Sequence, residues 1–278
     1  MIKIAFLVNP ISGKNGNKLE FKQINTFFDF DKYAIEIRYS SSKSDLERLT
    51  KECIHKGCDI IVASGGDGTV NTIAKFLVNS NIKLAILPRG SGNGLASHLG
   101  LSKSIKKLCS SIKHAETVHI DCGEVNGTYF FSNFALGYPA DVIHRYDKDT
   151  KRGLSTYVHH SLKSFFSKNK DVIMLEKSDK PKFCVLISNT KYLGYNVSLT
   201  PKAEINNGLL DIVFANSRID LALKMAGSIL FKKNFAHSVS EVVLSSNDSC
   251  SAQLDGEPIH LKSPFHITVK KNCLKIIV

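Results

Sequence analysis

No stretch of the 278-residue chain approaches the roughly 18 consecutive apolar residues of a membrane span. The first apolar run, Ile2, Ile4, Ala5, Phe6, Leu7 and Val8, is too short for a secretory signal, and no small-residue cleavage site follows it. It reads as the first strand of a cytoplasmic protein. The seven cysteines are scattered and never form a C-x-x-C pair, which argues against a disulfide framework and against a zinc site. The Walker A pattern G-x-x-x-x-G-K-[ST] is absent, as are internal repeats and low-complexity linkers. Acidic residues are in short supply: 25 against 37 Lys and Arg leave a formal charge of +12. Such a surface suits nucleic acid, anionic lipid or a polyphosphate substrate. A signature of aromatic residues interleaved with basic ones is missing, so no nucleic-acid partner is expected.

What remains is an ordinary globular composition, 43% hydrophobic and 22% charged, with enough length for one large or two modest domains. Its organising stretch is IIVASGGDGTVN, residues 60–71. Apolar residues end at a small-residue turn, Gly65, Gly66 and Gly68 surround Asp67, and helical spacing resumes with Val70, Ile73, Ala74 and Leu77. That is strand, glycine loop and helix. Glycines there are expected to adopt positive φ and let the backbone approach a ligand, while free N–H groups at the helix start favour phosphate. Asp67 stands where a metal ion or a substrate proton is handled. Taken alone, Gly-Gly-Asp-Gly is equally a tight turn.

Two further junctions repeat the pattern. A strand over 3–8 runs into NPISGK, residues 9–14, where Ser12, Gly13 and Lys14 offer a hydroxyl, a flexible backbone and an ammonium to phosphate oxygens. A strand over 83–87 runs into PRGSGNG, residues 88–94, before a helix near Leu95. Between them, 18–28 has helical spacing, 33–39 alternates as a strand, and a serine-rich turn precedes a helix over 45–56 capped by Ser44 or Asp45. In an open parallel sheet such loops converge on one crevice.

The later part is different in kind. Short alternating or β-branched runs cover 182–189, 194–199, 210–215, 239–245, 251–254 and 264–278, and Asn126-Gly127 marks a hairpin. Only 157–166 and 221–231 look helical. The expected fold is α/β: a three-layer nucleotide-binding domain over 1–120, then a β-sandwich domain over 121–278.

The set NPISGK, SGGDGTVN, LPRGSGNGLA (87–96) and LDGEP (254–258), in this order and spacing, resembles the diacylglycerol kinase catalytic-domain family. NAD kinases share a GGDGT loop, but NP-x-SGK and GSGN-x-LA fit the lipid kinases better. The resemblance implies ATP and Mg²⁺ as cofactors, a lipid hydroxyl as acceptor, and an active site in the cleft between the two domains. Asn9, Pro10, Ile11, Ser12, Gly13, Ser40, Gly65, Gly66, Asp67, Gly68, Thr69, Val70, Asn71 and Ser91 match the family's ATP-contacting positions, with Lys14 a further candidate. Glu257 matches the proton acceptor of the bacterial lipid kinases, Asp67 that of sphingosine kinases, and Asp255 is the third carboxylate. Glu257 ranks first as base and Asp67 as organiser of Mg²⁺ and ATP; Glu257→Gln or Asp67→Asn is expected to leave folding intact while cutting turnover. A structural Mg²⁺ of the bacterial relatives maps to Glu204, Asn207 and Leu209, but Asn207 replaces an aspartate and weakens the site. Asn207-Gly208 otherwise reads as a type I′ turn.

Asp141, in GYPADV (137–142), is the candidate reader of a substrate amine or hydroxyl, and is otherwise a turn or capping residue. Residues 151–157 resemble soluble bacterial lipid kinases generally. Leu162, Phe165 and Phe166 among Lys163, Lys168 and Lys170, and the stretch 221–235 with Lys224, Lys232 and Lys233, suggest transient peripheral association with the inner membrane surface. The same stripes also read as core-facing helix sides. A homodimer is left open. The alternative readings are a nucleotide- or lipid-binding regulator with weak catalysis, and an NAD-kinase-like enzyme of a soluble substrate.

Overall fold

The structure, a computed structural model, describes residues 1–13, 16–149, 153–167, 172–176, 180–193, 197–247 and 250–278. By internal contacts the chain divides into two units, Met1–Ile120 with Asn272–Val278, and Asp121–Lys271. The last seven residues thus pack with the first unit, whereas the sequence reading kept the second domain running to 278.

The first unit is built on the strands β1 (Ile2–Val8), β2 (Tyr33–Tyr39), β3 (Ile60–Gly65) and β4 (Lys83–Pro88). Their order is β2-β1-β3-β4, all parallel, and the end of the chain adds beside β4 through the pair Ile276 and Leu84. All six residues of β3 are buried, as a parallel strand covered on both faces requires. On one face lie α1 (Lys43–His55), packed against β1, and α2 (Asp67–Leu77), packed against β3 and β4. After the short α3 (Gly94–His98), α4 (Ile105–His114) covers the other face. Its Leu108, Cys109 and Ile112 meet Leu19, Ile24 and Phe28 over Ile4, Phe6, Val62 and Leu87. These are the three layers expected.

Local readings differ in three places. Residues 18–28 form two 3₁₀ turns, Phe21–Gln23 and Asn25–Phe27, in place of a helix. Asn25, Thr26, Phe27 and Phe28 are weak helix formers, and burial of Leu19, Ile24 and Phe28 holds the segment to the sheet. Helix α1 starts two residues earlier than expected, capped by Ser42, whose hydroxyl accepts from the Asp45 N–H at 3.1 Å. Helix α4 was hidden by its mixed basic and apolar composition.

β5 (Thr117–Val125) leads into the second unit, which contains β6 (Thr128–Phe130), β7 (Asn133–Gly137), α5 (Tyr138–Asp147), α6 (Leu154–Phe166), β8 (Ile173–Leu175) and β9 (Cys184–Ser188). Then follow β10 (Leu210–Ala215), α7 (Arg218–Phe231), β11 (His237–Val239), β12 (Glu241–Ser246), β13 (Ala252–Leu254), β14 (Glu257–Ile259) and β15 (Phe265–Ile277). One antiparallel sheet runs β11-β10-β9-β7-β13-β14. Its Phe134, Leu136, Val185, Ile187 and Ile212 pack face to face with Phe130, Leu244, Phe265 and Ile267 from β6, β12 and β15, a sandwich core. The alternate residues Ala135, Cys184, Leu186 and Val213 point to the opposite face and pack on Leu221 of α7.

The helix α5 is a third helix in this unit, at a place read as a turn. Pro139 stands in its first turn, where proline is well suited because its missing N–H is not needed. The strand reading over 194–199 falls partly outside the described residues.

Candidate active site

In a β2-β1-β3-β4 sheet the chain departs in opposite directions from β1 and β3, which leaves a crevice at their carboxyl ends. The loop after β1, the β3–α2 turn and the β4–α3 loop meet at this edge. Asn9 N–H donates to the Ser64 carbonyl at 3.0 Å, and its Nδ2 donates to Thr69 Oγ1 at 3.1 Å. Arg89 N–H donates to the Gly65 carbonyl at 2.8 Å. Buried Asn17, which sequence reasoning passed over, ties the first loop down by donating Nδ2 to the Asn9 and Ser64 carbonyls at 3.1 and 2.9 Å.

The glycines do not work as expected. None of Gly65, Gly66 and Gly68 has positive φ. Space is what they supply: a Cβ on Gly90 would lie 2.5 Å from Gly66 Cα, and one on Gly65 would lie 2.3 Å from Thr69 Oγ1. Gly13 does adopt φ +83°, and a Cβ there would press on the Arg89 carbonyl at 2.9 Å. The three loops therefore pack backbone to backbone.

Asp67, in the first turn of α2, fixes this arrangement. Its two carboxylate oxygens accept from the backbone N–H groups of Asn93 at 2.7 Å and Gly94 at 2.8 Å. These belong to the start of α3, so one carboxylate caps a neighbouring helix whose first N–H groups have no partner of their own. Asn93 takes left-handed backbone at φ +53° and donates Nδ2 to the Gly90 carbonyl at 2.6 Å. Ser40, buried at the end of β2, donates its hydroxyl to the Val8 carbonyl at 3.3 Å. Val70 is buried, Asn71 half-buried, and Ile11 and Ser91 are exposed; Lys14 lies outside the described residues.

These groups fit the phosphates of a nucleotide. The cradle has no room for a side chain at Gly13, Gly65 or Gly90, the first turn of α2 presents N–H groups and the positive end of its dipole, and Arg89 Nε is buried without a hydrogen-bond partner. A carboxylate oxygen can accept more than one hydrogen bond or coordinate a cation beside one, so the chemistry of Asp67 is compatible with a divalent cation. Cysteine chemistry has no comparable footing: burial pushes the Cys53 and Cys184 thiols up to about 12 and that of Cys109 to about 11.

In the second unit, Asp255 and Gly256 form the two-residue turn between β13 and β14, at φ +50° and +82°. The Asp255 carboxylate is buried and accepts from three successive backbone N–H groups, Phe131 at 2.9 Å, Ser132 at 2.7 Å and Asn133 at 2.9 Å. Glu257 opens β14 opposite Leu254 and is half-buried. Asp255 thereby holds the hairpin that presents Glu257. Asp141 lies in the first turn of α5, accepts from Arg145 Nε at 2.8 Å and from the Ser164 hydroxyl, and so joins α5 to α6.

The loop carrying Glu204, Asn207 and Leu209 is closed by its own bonds. Asn207 Oδ1 accepts from Leu209 N–H at 3.0 Å, and only Gly208 has positive φ, so the turn is not type I′. A buried charged group at this loop is one the sequence reading missed: Asp121, whose carboxylate accepts from Gly208 N–H at 2.6 Å. Its partner lies 87 positions away, and nothing local in the sequence signals the contact.

Residues 3–125 match the model of the diacylglycerol kinase catalytic domain. Over its whole length it is similar to "Probable lipid kinase YegS-like" of Pectobacterium atrosepticum, 26% identical across 94% of this chain and 93% of that protein. "Diacylglycerol kinase" of Bacillus subtilis is 24% identical across 77% of this chain and 73% of its own. An uncharacterized protein of Synechocystis, 26% identical, is matched over 38% of its length. A crystal structure of a diacylglycerol kinase from Bacillus anthracis shares the fold, with a TM-score of 0.75, 19% identity, and coverage of 99% of this chain and 96% of that one. No helix among the described residues is long and apolar enough to cross a membrane.

Proposed function

We propose that this protein is an ATP-dependent lipid kinase that transfers the γ-phosphate of ATP to a lipid hydroxyl of diacylglycerol or sphingoid-base type. The observation that carries the reading is the meeting of three glycine-rich loops at the carboxyl edge of the parallel sheet, packed too closely for a Cβ at Gly13, Gly65 or Gly90 and organised by Asp67. Phosphoryl transfer asks a protein chiefly to position phosphates and neutralise their charge. Asn9–Gly13, Gly65–Asn71 and Ser91 bind the phosphates through N–H and hydroxyl groups, and Asp67 orients the metal-bound nucleotide while fixing α3. Mg²⁺, when bound, neutralises phosphate charge. Glu257 accepts the proton of the acceptor hydroxyl. Asp255 positions that carboxylate through its clasp on 131–133. The names of the lipid-kinase relatives support the substrate class.

The test is transfer of radiolabelled γ-phosphate from ATP and Mg²⁺ to diacylglycerol, sphingosine, ceramide and NAD presented in mixed micelles, with Glu257→Gln beside the wild type. Label is expected in one lipid, with turnover in the variant lower by about 10²–10⁴-fold. Label in NAD alone would overturn the substrate class, and an undiminished variant would overturn the role of Glu257.

A further inference from the structure

The helix α7 is amphipathic the wrong way round for a helix facing water. Its inward side is anchored: Leu221 is buried under the sheet, Ser228 donates its hydroxyl to the Ser198 carbonyl at 2.9 Å, and Lys224 Nζ donates to the Phe214 carbonyl at 2.7 Å. Its outward positions 219, 222, 223, 226, 229 and 230 are all exposed, and all are Ile, Leu or Ala. Leu223 is 66%, Leu230 70% and the following Phe231 78% exposed. A continuous stripe at helical spacing is therefore held out from the protein by a well-packed reverse side.

A second stripe adjoins it. Residues 154, 158, 162 and 166 of α6 are exposed and apolar at one position per turn. Arg218, the first residue of α7, donates to the carbonyl of Ser167, the residue after α6, so the end of one stripe and the start of the other are neighbours. Of the sixteen large apolar side chains exposed among the described residues, nine lie on these two helices. That concentration exceeds the scattered exposure usual on a soluble surface.

We propose that the outer faces of α6 and α7 form a docking surface for an anionic lipid bilayer, into which α7 lies shallowly. The charge around the stripes selects this occupant. Lys163 stands exposed on α6, Lys232 and Lys233 stand exposed at the end of α7, and the sole carboxylate on either helix, Asp220, is paired with Lys224 at 3.0 Å. Apolar residues bordered by unopposed lysines match acyl chains beneath anionic headgroups. A second copy of the chain would instead bring the same lysines, and a formal +12, against their like. The inference rests on the lipid-kinase reading for its purpose and on the two helices for its place.

The experiment is co-sedimentation, without ATP, with vesicles of phosphatidylcholine alone or mixed with phosphatidylglycerol, at several salt concentrations. Wild type is compared with Leu223→Asp/Leu230→Asp and with Lys232→Gln/Lys233→Gln, and the mass in solution is measured by light scattering. Wild-type protein is expected to bind the anionic vesicles preferentially. The aspartate pair should weaken binding at least tenfold. The glutamine pair should weaken it by about fivefold per lysine and flatten its salt dependence. Phosphoryl transfer to detergent-solubilised lipid should stay at the wild-type level in both. Equal binding of neutral and anionic vesicles, unchanged binding by the aspartate pair, or a wild-type dimer that this pair dissolves would each overturn the proposal. Absence of lipid phosphorylation in micelles while vesicle binding persists would overturn the kinase reading and leave the docking surface standing.

Discussion

Asp67→Asn is the perturbation in which fold and chemistry can be told apart. From the sequence alone the change is expected to leave folding intact. The structure gives it a stability cost, because both carboxylate oxygens accept backbone N–H groups of the α3 start, at 2.7 and 2.8 Å. An asparagine keeps one acceptor oxygen and turns an NH₂ toward the other donor. One hydrogen bond to a charged acceptor is lost, roughly 1.5–3 kcal/mol, and the surviving bond loses its charge. Because Asp67 is only half-buried, water can reach part of the site, and the sum is set at about 2 kcal/mol, the upper range of a helix-cap loss. For a domain of this size that corresponds to a fall of about 6–10 °C in Tm. Scanning calorimetry of Asp67→Asn beside Glu257→Gln is the assay, with turnover measured on the same preparations. The first variant should lose both stability and turnover; the second should lose turnover alone. If Asp67→Asn melts with the wild type, its carboxylate does not fix α3, and the reasoning fails.

Other consequences follow from the same bonds and distances. Asp255→Asn leaves at least one of three buried N–H donors facing an NH₂, so urea denaturation should report a loss of about 3–5 kcal/mol. Asparagine tolerates the φ of +50°, so a loss below 1 kcal/mol could not be excused by backbone relief and would count against the clasp. Gly90→Ala drives a Cβ to within 2.5 Å of Gly66 Cα and should weaken ATP binding at least tenfold by calorimetric titration, overpacking of this kind costing about 1–3 kcal/mol. Asp45 is held below the usual carboxylate range, first by the Ser41 N–H and then by Arg48. Because its folded value is the lower one, its contribution is present above the ordinary carboxylate range and is lost as pH falls through the folded value. Asp45→Asn should therefore flatten the acid limb of Tm plotted against pH from 2 to 5.

The first unit was legible because each strand, loop and helix announces itself locally. In 60–71, a buried run, a glycine turn and a 3.6-residue period follow one another without interruption. What stayed hidden depends on residues distant in sequence. Gly66 looks like a turn glycine until Gly90 is seen against it, and Asp67 looks like a free acid until α3 is placed beside it. Asp121 gives no sign at all, since the N–H it receives comes from Gly208. Helix α5 was obscured by an ambiguity of proline, which stops helices from within but suits their first turn. The 3₁₀ turns of 21–27 mark the reverse case, where apolar spacing resembled a helix and weak propensity with sheet packing decided otherwise.

The return of Asn272–Val278 to the first unit bears on the order in which the chain can mature. A ribosome delivers β4 long before it delivers Ile276, the residue that pairs with Leu84. Until Ile276 is delivered, the β4 edge carries unpaired N–H and C=O groups, the kind of template on which nascent chains join one another. The first unit, ahead of the second in the chain, is thus the last to be complete.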